Sequence, residues 1–451
     1  MKILRKLCFP IFWITVSLIV WFGHSQNSKS ASLQGDQFRY INYAVSMSVH
    51  GTFGLMETGQ ISEAPAPGNA NAPLYPMMIA GIMFLDSNFS ETLKCILPQR
   101  SEKGCDVDFT SFFAVQLALS IFSIFLIYLI SLRFSGNKNV AYISALLAAC
   151  SSVFSDYTYQ FMTETLVLPG FFLLLLFCLL FYQEKKLKWL IFVSLALAFL
   201  TLVRPSYLYL FFGFVLFFVG LAIVKRSKFQ LLHLSVFVFA FVIGVMPWAI
   251  RNKIQFDTFA LTTGGYAEAI LIQRTNYNQM SWPEIGVAMI YWLPGFGDSL
   301  SEKIFPEHLY KRLGWDKGSY YKIGYRDPLE ELTEQLGERD QVLSHLIKEE
   351  VLTLKHVAVS VPLAVRGTLM VKYASILGFI TFILLSIQTV RRGNYALIVL
   401  ALPLFFMVAF HAGLSVSIAR YNLPLIVLYT LTLAYYFNFY GCRLVQKLHK
   451  K

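Results

Sequence analysis

Charged residues are scarce in this chain: they make up 14% of its 451 residues, while 56% are hydrophobic. A soluble domain carries about 25% charged residues, so the shortage excludes an ordinary water-soluble globule. Apolar runs long enough to cross a bilayer, each of roughly 20 residues, account for the deficit. Acid is scarcer than base, with 26 Asp and Glu against 38 Lys and Arg, giving a formal net charge of +12. In a soluble protein that excess would raise nucleic acid as a partner, but its placement argues against one. Lys2, Arg5 and Lys6 precede the first apolar run, and Arg133 and Lys138 follow the second. Lys185, Lys186 and Lys188 follow the fourth, Lys225, Arg226 and Lys228 the sixth, and Arg391 and Arg392 the eighth. Arg443, Lys447, Lys450 and Lys451 close the sequence, and a single acid, Glu184, accompanies all of these clusters. Positive charge is retained on the cytoplasmic side during insertion. The basic excess is therefore a topology signal, and nucleic acid is not an expected partner.

Cysteine is sparse and offers no metal-ligand spacing among its six positions. Cys8, Cys150, Cys178 and Cys442 lie in or beside apolar runs and read as packing residues. Cys95 and Cys105 share a polar segment; a bridge between them fits an oxidising compartment, and free thiols fit otherwise. His50, His233, His356 and His411 show no ligand spacing either. Neither an internal repeat nor a low-complexity tract is present. Asn88-Phe89-Ser90 forms a glycosylation sequon, relevant only in a eukaryotic lumen.

What the chain does have is ten apolar segments, at 7–23, 109–132, 140–154, 163–182, 189–204, 205–224, 229–249, 371–390, 395–413 and 423–441. Alternating them from a cytoplasmic N-terminus places every basic cluster on one side. The expected fold class is an all-α polytopic membrane protein of about ten transmembrane helices. The first segment also fits a signal peptide, but no A-x-A-like site follows, and Trp21 and Phe22 suit an interfacial anchor. Three parts are expected: an N-terminal transmembrane module, 1–251, holding a first outer loop, 24–108; a small extracytoplasmic subdomain, 252–370; and C-terminal helices with a short tail, 371–451. In the first loop, Pro73–Leu85 is apolar but too short to span and belongs along the outer interface. In the second, an amphipathic helix is expected near Leu329–Leu354.

Ionisable groups near membrane depth are costly, so each invites a functional reading. By this topology Asp36, Arg39, Asp156, Glu164, Arg204, Arg251 and Arg420 all lie toward the outer ends of the helices. Carboxylates with several arginines on one face form a set that can deprotonate a hydroxyl and hold a phosphate. Each also has a plain structural role to set beside that one. Asp36 is placed to cap a helix, Glu164 to do the same behind Thr163, and the arginines to snorkel toward headgroups.

The stretch GDQFRYINYAVSMSVHGTFG, residues 35–54, resembles the start of the first outer loop in the GT-C superfamily of glycosyltransferases. The likeness is to the branch holding protein mannosyltransferases and the aminoarabinose transferases of lipid A. In that branch an Asp after the first helix leads a juxtamembrane helix ending in a small-residue turn, here Gly51-Thr52-Phe53-Gly54. Asp36 matches the family's catalytic Asp, and Arg39 a basic residue three positions on in the aminoarabinose enzymes. Further likenesses follow in the family's order: APLYPMMIAG (72–81), MTETL around Glu164, LVRPSYL (202–208), MPWAIRNKIQF (246–256) and IARYNLPL (418–425). The Glu-Lys-Pro of the aminoarabinose enzymes is missing before Pro73, with Glu63 a loose substitute.

The resemblance implies an inverting transfer of a monosaccharide from a polyprenyl-phosphate donor to a hydroxyl on a lipid, glycan or protein acceptor. Asp36 would be the general base, Arg39, Arg204, Arg251 and Arg420 the donor-phosphate ligands, and Asp156 and Glu164 cavity carboxylates. No cofactor is implied, and a divalent-metal requirement stays open. The setting implied is a bacterial inner membrane, among its lipids, with the site facing the periplasm or exterior. Two other functions fit a many-helix membrane protein. A polysaccharide polymerase or O-antigen ligase concentrates its functional residues in a late outer loop. A secondary transporter or flippase shows paired halves and midplane charges. The early motif and the missing repeat set both behind the transferase.

Overall fold

In the structure, a computed structural model, the described residues are 2–26, 35–57, 61–225, 228–262, 271–272, 274, 277–314, 318–320, 332–336, 339–348, 353–369, 375–414 and 417–448. Among them there is no strand. The helices are α1 (Lys2–Gln26), α2 (Asp36–His50), α3 (Leu74–Leu85), α4 (Ser87–Gln99), α5 (Thr110–Ser135), α6 (Lys138–Ala149), α7 (Glu164–Glu184), α8 (Leu187–Val203), α9 (Tyr207–Lys225) and α10 (Lys228–Phe256). They continue as α11 (Trp282–Tyr291), α12 (Gly297–Ile304), α13 (Glu307–Tyr310), α14 (Arg339–Lys348), α15 (Leu354–Leu369), α16 (Ser375–Arg391), α17 (Ala396–Leu414) and α18 (Ile426–Leu448).

A helix lies within each of the ten apolar segments, with residues 371–374 of the eighth outside the described set, and the all-α polytopic fold is present. Six helices among the described residues are long and apolar enough to cross a bilayer, with Phe9–Gly23, Leu187–Val203 and Ser375–Arg391 shorter. The third expected span, 140–154, needs correction. Its helix stops at Ala149 after 12 residues, about 18 Å at 1.5 Å per residue, against a hydrocarbon core of about 30 Å. Serines end it. The Val153 amide donates to Ser151 Oγ, Ser155 Oγ to Ser152 O, and Thr158 Oγ1 to Ser155 O. Such local bonds offer the backbone an alternative to the helical ladder, and residues 150–162 become turns.

The chain divides into two compact units. The first comprises Met1–Thr263, Lys372–Pro403 and Ile426–Lys451. In it α7 packs against α5 and α8, α10 against α8 and α9, and α18 against α6 and α16. The interior is rich in aromatic rings, with Phe161 and Phe112 stacked at 4.1 Å and Phe89 stacked on Phe112 at 5.5 Å. Helix α3 leaves Phe84 and Leu85 exposed at 88% and 84%, as suits an apolar segment lying at an interface.

The second unit comprises Gly264–Val371 and Leu404–Leu425. Its core gathers Tyr277, Met280, Ile285, Ala288, Trp292 and Leu363. Ser281 and Glu284 form a reciprocal capping box at the start of α11, which satisfies two otherwise orphaned amides. The Tyr320 hydroxyl donates to Glu284 Oε1 at 3.0 Å, and burial beside that carboxylate pushes the Tyr320 phenol up to about 12. Helix α14 falls within the expected amphipathic span; residues 329–331, 337–338 and 349–352 of that span lie outside the described set.

Candidate active site

The first outer loop folds onto α2 by satisfying its own polar groups. Gly35, at φ 57°, takes the left-handed conformation that glycine adopts without a Cβ penalty and turns the chain into α2. Gly35, which has no side chain to cap with, holds the N-cap position. The capping role weighed for Asp36 is therefore not the one it fills; it sits half-buried in the first turn. At the other end Gly51, at φ 67°, closes α2 with its amide on Met47 O. The loop then doubles back. Buried Asn42 donates to Met56 O at 2.9 Å and accepts from the Met56 amide at 2.8 Å, while Ser46 Oγ donates to Thr52 O. His50 Nε2 meets Ile61 O at 2.8 Å, and the Gly68 amide donates to Phe53 O at 2.6 Å. A Cβ on Gly54 would lie 2.2 Å from Ala66 O, so this close approach requires glycine.

Arg251 fastens the same loop. Its Nη1 donates to Gly68 O at 2.8 Å and its Nη2 to Phe53 O at 3.2 Å, with the guanidinium 4.8 Å from the Trp248 ring centroid. Phe53 in turn stacks on Tyr43 at 4.2 Å and meets Trp248 edge-on. The geometry gives Arg251 a clamping role, with both terminal nitrogens engaged by loop carbonyls.

Two links join the start of α2 to the remaining carboxylates. The Phe161 amide donates to Gln37 Oε1 at 3.1 Å, which fixes the turn carrying half-buried Asp156 against the residue next to Asp36. The second link runs through rings and amides. Tyr40 meets Tyr75 edge-on at 5.1 Å, and the Tyr75 hydroxyl donates to Gln116 Oε1 at 3.4 Å. Thr165 Oγ1 donates to that same oxygen at 2.6 Å, and Gln116 Nε2 donates to the carbonyls of Thr158 and Gln160. Burial, with Tyr40 and Glu164 nearby, holds the Tyr75 phenol well above its ordinary range.

Beside Thr165 lies Glu164, 1% exposed, and Arg204 Nη2 donates to its Oε1 at 2.8 Å. Arg204 also bonds Thr163 Oγ1. Extended backbone at Arg204, where α8 ends before Pro205, directs it there, since a residue preceding proline is pushed out of the helical region. Thr163, at the N-cap of α7, makes no side-chain cap bond.

Arg39 is exposed on α2 and lines an open cleft of about 460 Å³ together with Phe38, Asn42, Met56, Glu57 and Arg100. Arg420 belongs to the second unit, half-buried, 5.3 Å from the Tyr421 ring centroid in the 3-10 stretch Ala419–Leu425. Thus six of the seven expected residues fall within the first unit. Sequence reasoning missed Gln116 and Arg100. A buried Gln inside an otherwise apolar run was a usable signal for the first; nothing local marked the second. Among the described residues no three His, Cys, Asp or Glu side chains group as metal ligands.

Residues 105–250 match the model of the dolichyl-phosphate-mannose-protein mannosyltransferase family. The archaeal oligosaccharyltransferase AglB from Archaeoglobus fulgidus, solved with an inhibitory peptide and a dolichol-phosphate, superposes with a TM-score of 0.52. That alignment is 11% identical and covers 99% of this chain and 52% of AglB. The chain has the GT-C fold. It spans about half the length of the oligosaccharyltransferase whose GT-C fold it shares. The apo form of the A. fulgidus enzyme gives a TM-score of 0.49 at 10% identity, over 97% of this chain and 51% of that one. ArnT from Cupriavidus metallidurans, bound to undecaprenyl phosphate, gives 0.42 at 13% identity, over 94% and 78%. No curated protein sequence matches. Of the candidate residues, Asp156, Glu164 and Arg204 fall inside the family match, whereas Asp36, Arg39, Arg251 and Arg420 fall outside it.

Proposed function

We propose that this GT-C chain transfers a monosaccharide from a polyprenyl-phosphate donor to an acceptor hydroxyl, with inversion, on the extracytoplasmic face of a bacterial inner membrane. The observation that carries the reading is the placement of Asp36. It stands in the first turn of a helix whose next residue, Gln37, is bonded to the Asp156 turn. Through Tyr40, Tyr75 and Gln116 the same helix connects to the Glu164–Arg204 pair. A base so placed takes the proton of the attacking hydroxyl as its oxygen bonds to C1 and the sugar–phosphate bond breaks. The phosphate leaves with its electron pair and gathers negative charge. Fixed guanidinium groups in a poorly solvated site stabilise that charge without reorganising. Arg204, 13% exposed along its side chain, is the donor-phosphate ligand in this reading, while Arg251 shapes the loop. The family match to dolichyl-phosphate-mannose enzymes supports the lipid-phosphate class of donor.

The test is Asp36→Asn, which keeps size and polarity but removes the base. Purified variant and wild type are compared in transfer from a polyprenyl-phosphate sugar. A positioned base contributes roughly 100- to 10,000-fold, so a loss of about 100-fold or more at normal folding is expected. Full activity in well-folded Asp36→Asn would move the base to Asp156 or Glu164.

A further inference from the structure

We propose that the cleft between α2 and α4 is an acceptor subsite, where Arg39 and Arg100 hold a phosphate or carboxylate that the acceptor carries. The proposal rests on the transfer reading given above. The cleft, about 460 Å³, is of the size that takes small molecules, roughly 300–1,000 Å³. Arg39 enters it from α2, three residues beyond Asp36. Side chains at that spacing are neighbours on a helix face, about 5–6 Å apart at Cβ.

Arg100 enters from the end of α4, and several features fix it there. Its backbone is left-handed, at φ 49°, a conformation uncommon outside glycine. Its guanidinium carbon lies 4.3 Å from the Phe38 ring centroid. The Cys95–Cys105 bridge closes the segment around it, and Gln99 Nε2 donates to Cys105 Sγ at 3.3 Å. A guanidinium stacked on an aromatic ring still presents its edge donors in a rigid fork. Two such forks facing one cleft suit the oxygens of an anion. The floor is set by the paired Asn42–Met56 bonds. Glu57 lies on the same lining and selects ligands with a hydroxyl or amine beside the anion. A phosphorylated or carboxylated sugar headgroup meets all of these conditions.

The chemistry of inversion assigns the cleft to the acceptor. Attacking oxygen and leaving phosphate stand on opposite faces of C1, and the base stands with the attacking oxygen. A subsite one helical turn from that base is within reach of an acceptor whose hydroxyl the base activates. This moves Arg39 away from the donor-phosphate role that its sequence position suggested.

The full-length protein is titrated calorimetrically with inorganic phosphate, as wild type, Arg39→Gln, Arg100→Gln and Arg100→Lys. Each Gln variant should weaken phosphate binding about tenfold or more, the scale of a charge-assisted bond, and Lys at 100 should recover part. Thiol titration confirms that the bridge persists in each. In transfer assays the same Gln variants should raise the acceptor KM about tenfold while kcat and the donor KM hold. Phosphate binding unchanged in both Gln variants overturns the proposal. So does a raised donor KM with an unaltered acceptor KM, which would give the anion to the donor. A wild type that binds phosphate through both arginines yet transfers no sugar overturns the transfer reading and the acceptor assignment, and leaves an anion site.

Discussion

Glu164 and Arg204 pose the energetic question of this site most directly. A carboxylate 1% exposed is costly to desolvate, and Arg204, at 13%, offsets that cost with a 2.8 Å charge-assisted bond. Removing one partner of a buried pair strands the other, at about 3–5 kcal/mol. Arg204→Gln should therefore destabilise the protein by about 3 kcal/mol in urea unfolding. Adding Glu164→Gln should recover most of that loss, because two neutral amides can bond each other. Transfer activity should stay low in the double variant if Arg204 also serves the donor phosphate, and return if the pair is only a strut. Both residues were legible in the sequence as polar groups beside apolar runs. Their partnership was not, because forty residues separate them and nothing local encodes a tertiary pairing.

The first outer loop shows the same limit for an element. Its helix and small-residue turn were legible from Asp36 to Gly54, since helix and turn chemistry are local. The role of Arg251 was not, because the carbonyls it holds lie 183 and 198 residues away in sequence. Arg251→Lys keeps the charge but cannot grip two carbonyls as a planar fork does. One charge-assisted bond is worth about 1.5–3 kcal/mol, so residues 53–68 should loosen while α10 stays folded. Limited proteolysis should cut the variant faster in this loop, and unchanged cleavage would remove the clamp. The truncated third helix is a related lesson. Hydropathy read 140–154 as one segment because Val153 and Phe154 are apolar, whereas the intervening serines bind backbone and end the helix early.

Across the whole molecule, the charge asymmetry assigns sides, and the Cys95–Cys105 bond agrees with that assignment. With Cys8, Cys150, Cys178 and Cys442 replaced, Glu63→Cys and Asn139→Cys lie in exposed positions on either side of α5. A membrane-impermeant thiol reagent should label position 63 in intact cells and position 139 only after lysis. Labelling at 139 alone would invert the topology and with it the proposed site. The long apolar helices were legible because burial in lipid leaves a long, one-dimensional trace in composition. The division into two units, with Leu404–Leu425 joined to Gly264–Val371, left no such trace.

The Cys95–Cys105 bond also carries information about time. Disulfides persist in oxidising compartments and not beside the reducing cytosol, so under the proposed topology this one closes only after residues 95 to 105 have crossed. The native chain then bears its own timestamp of translocation. In a pulse–chase with thiol trapping, the oxidised fraction would count the molecules whose first loop has been delivered, without any engineered tag. A host whose exterior lacks thiol oxidants would accumulate chains fully inserted but unlatched, with Arg100 no longer held beside Phe38.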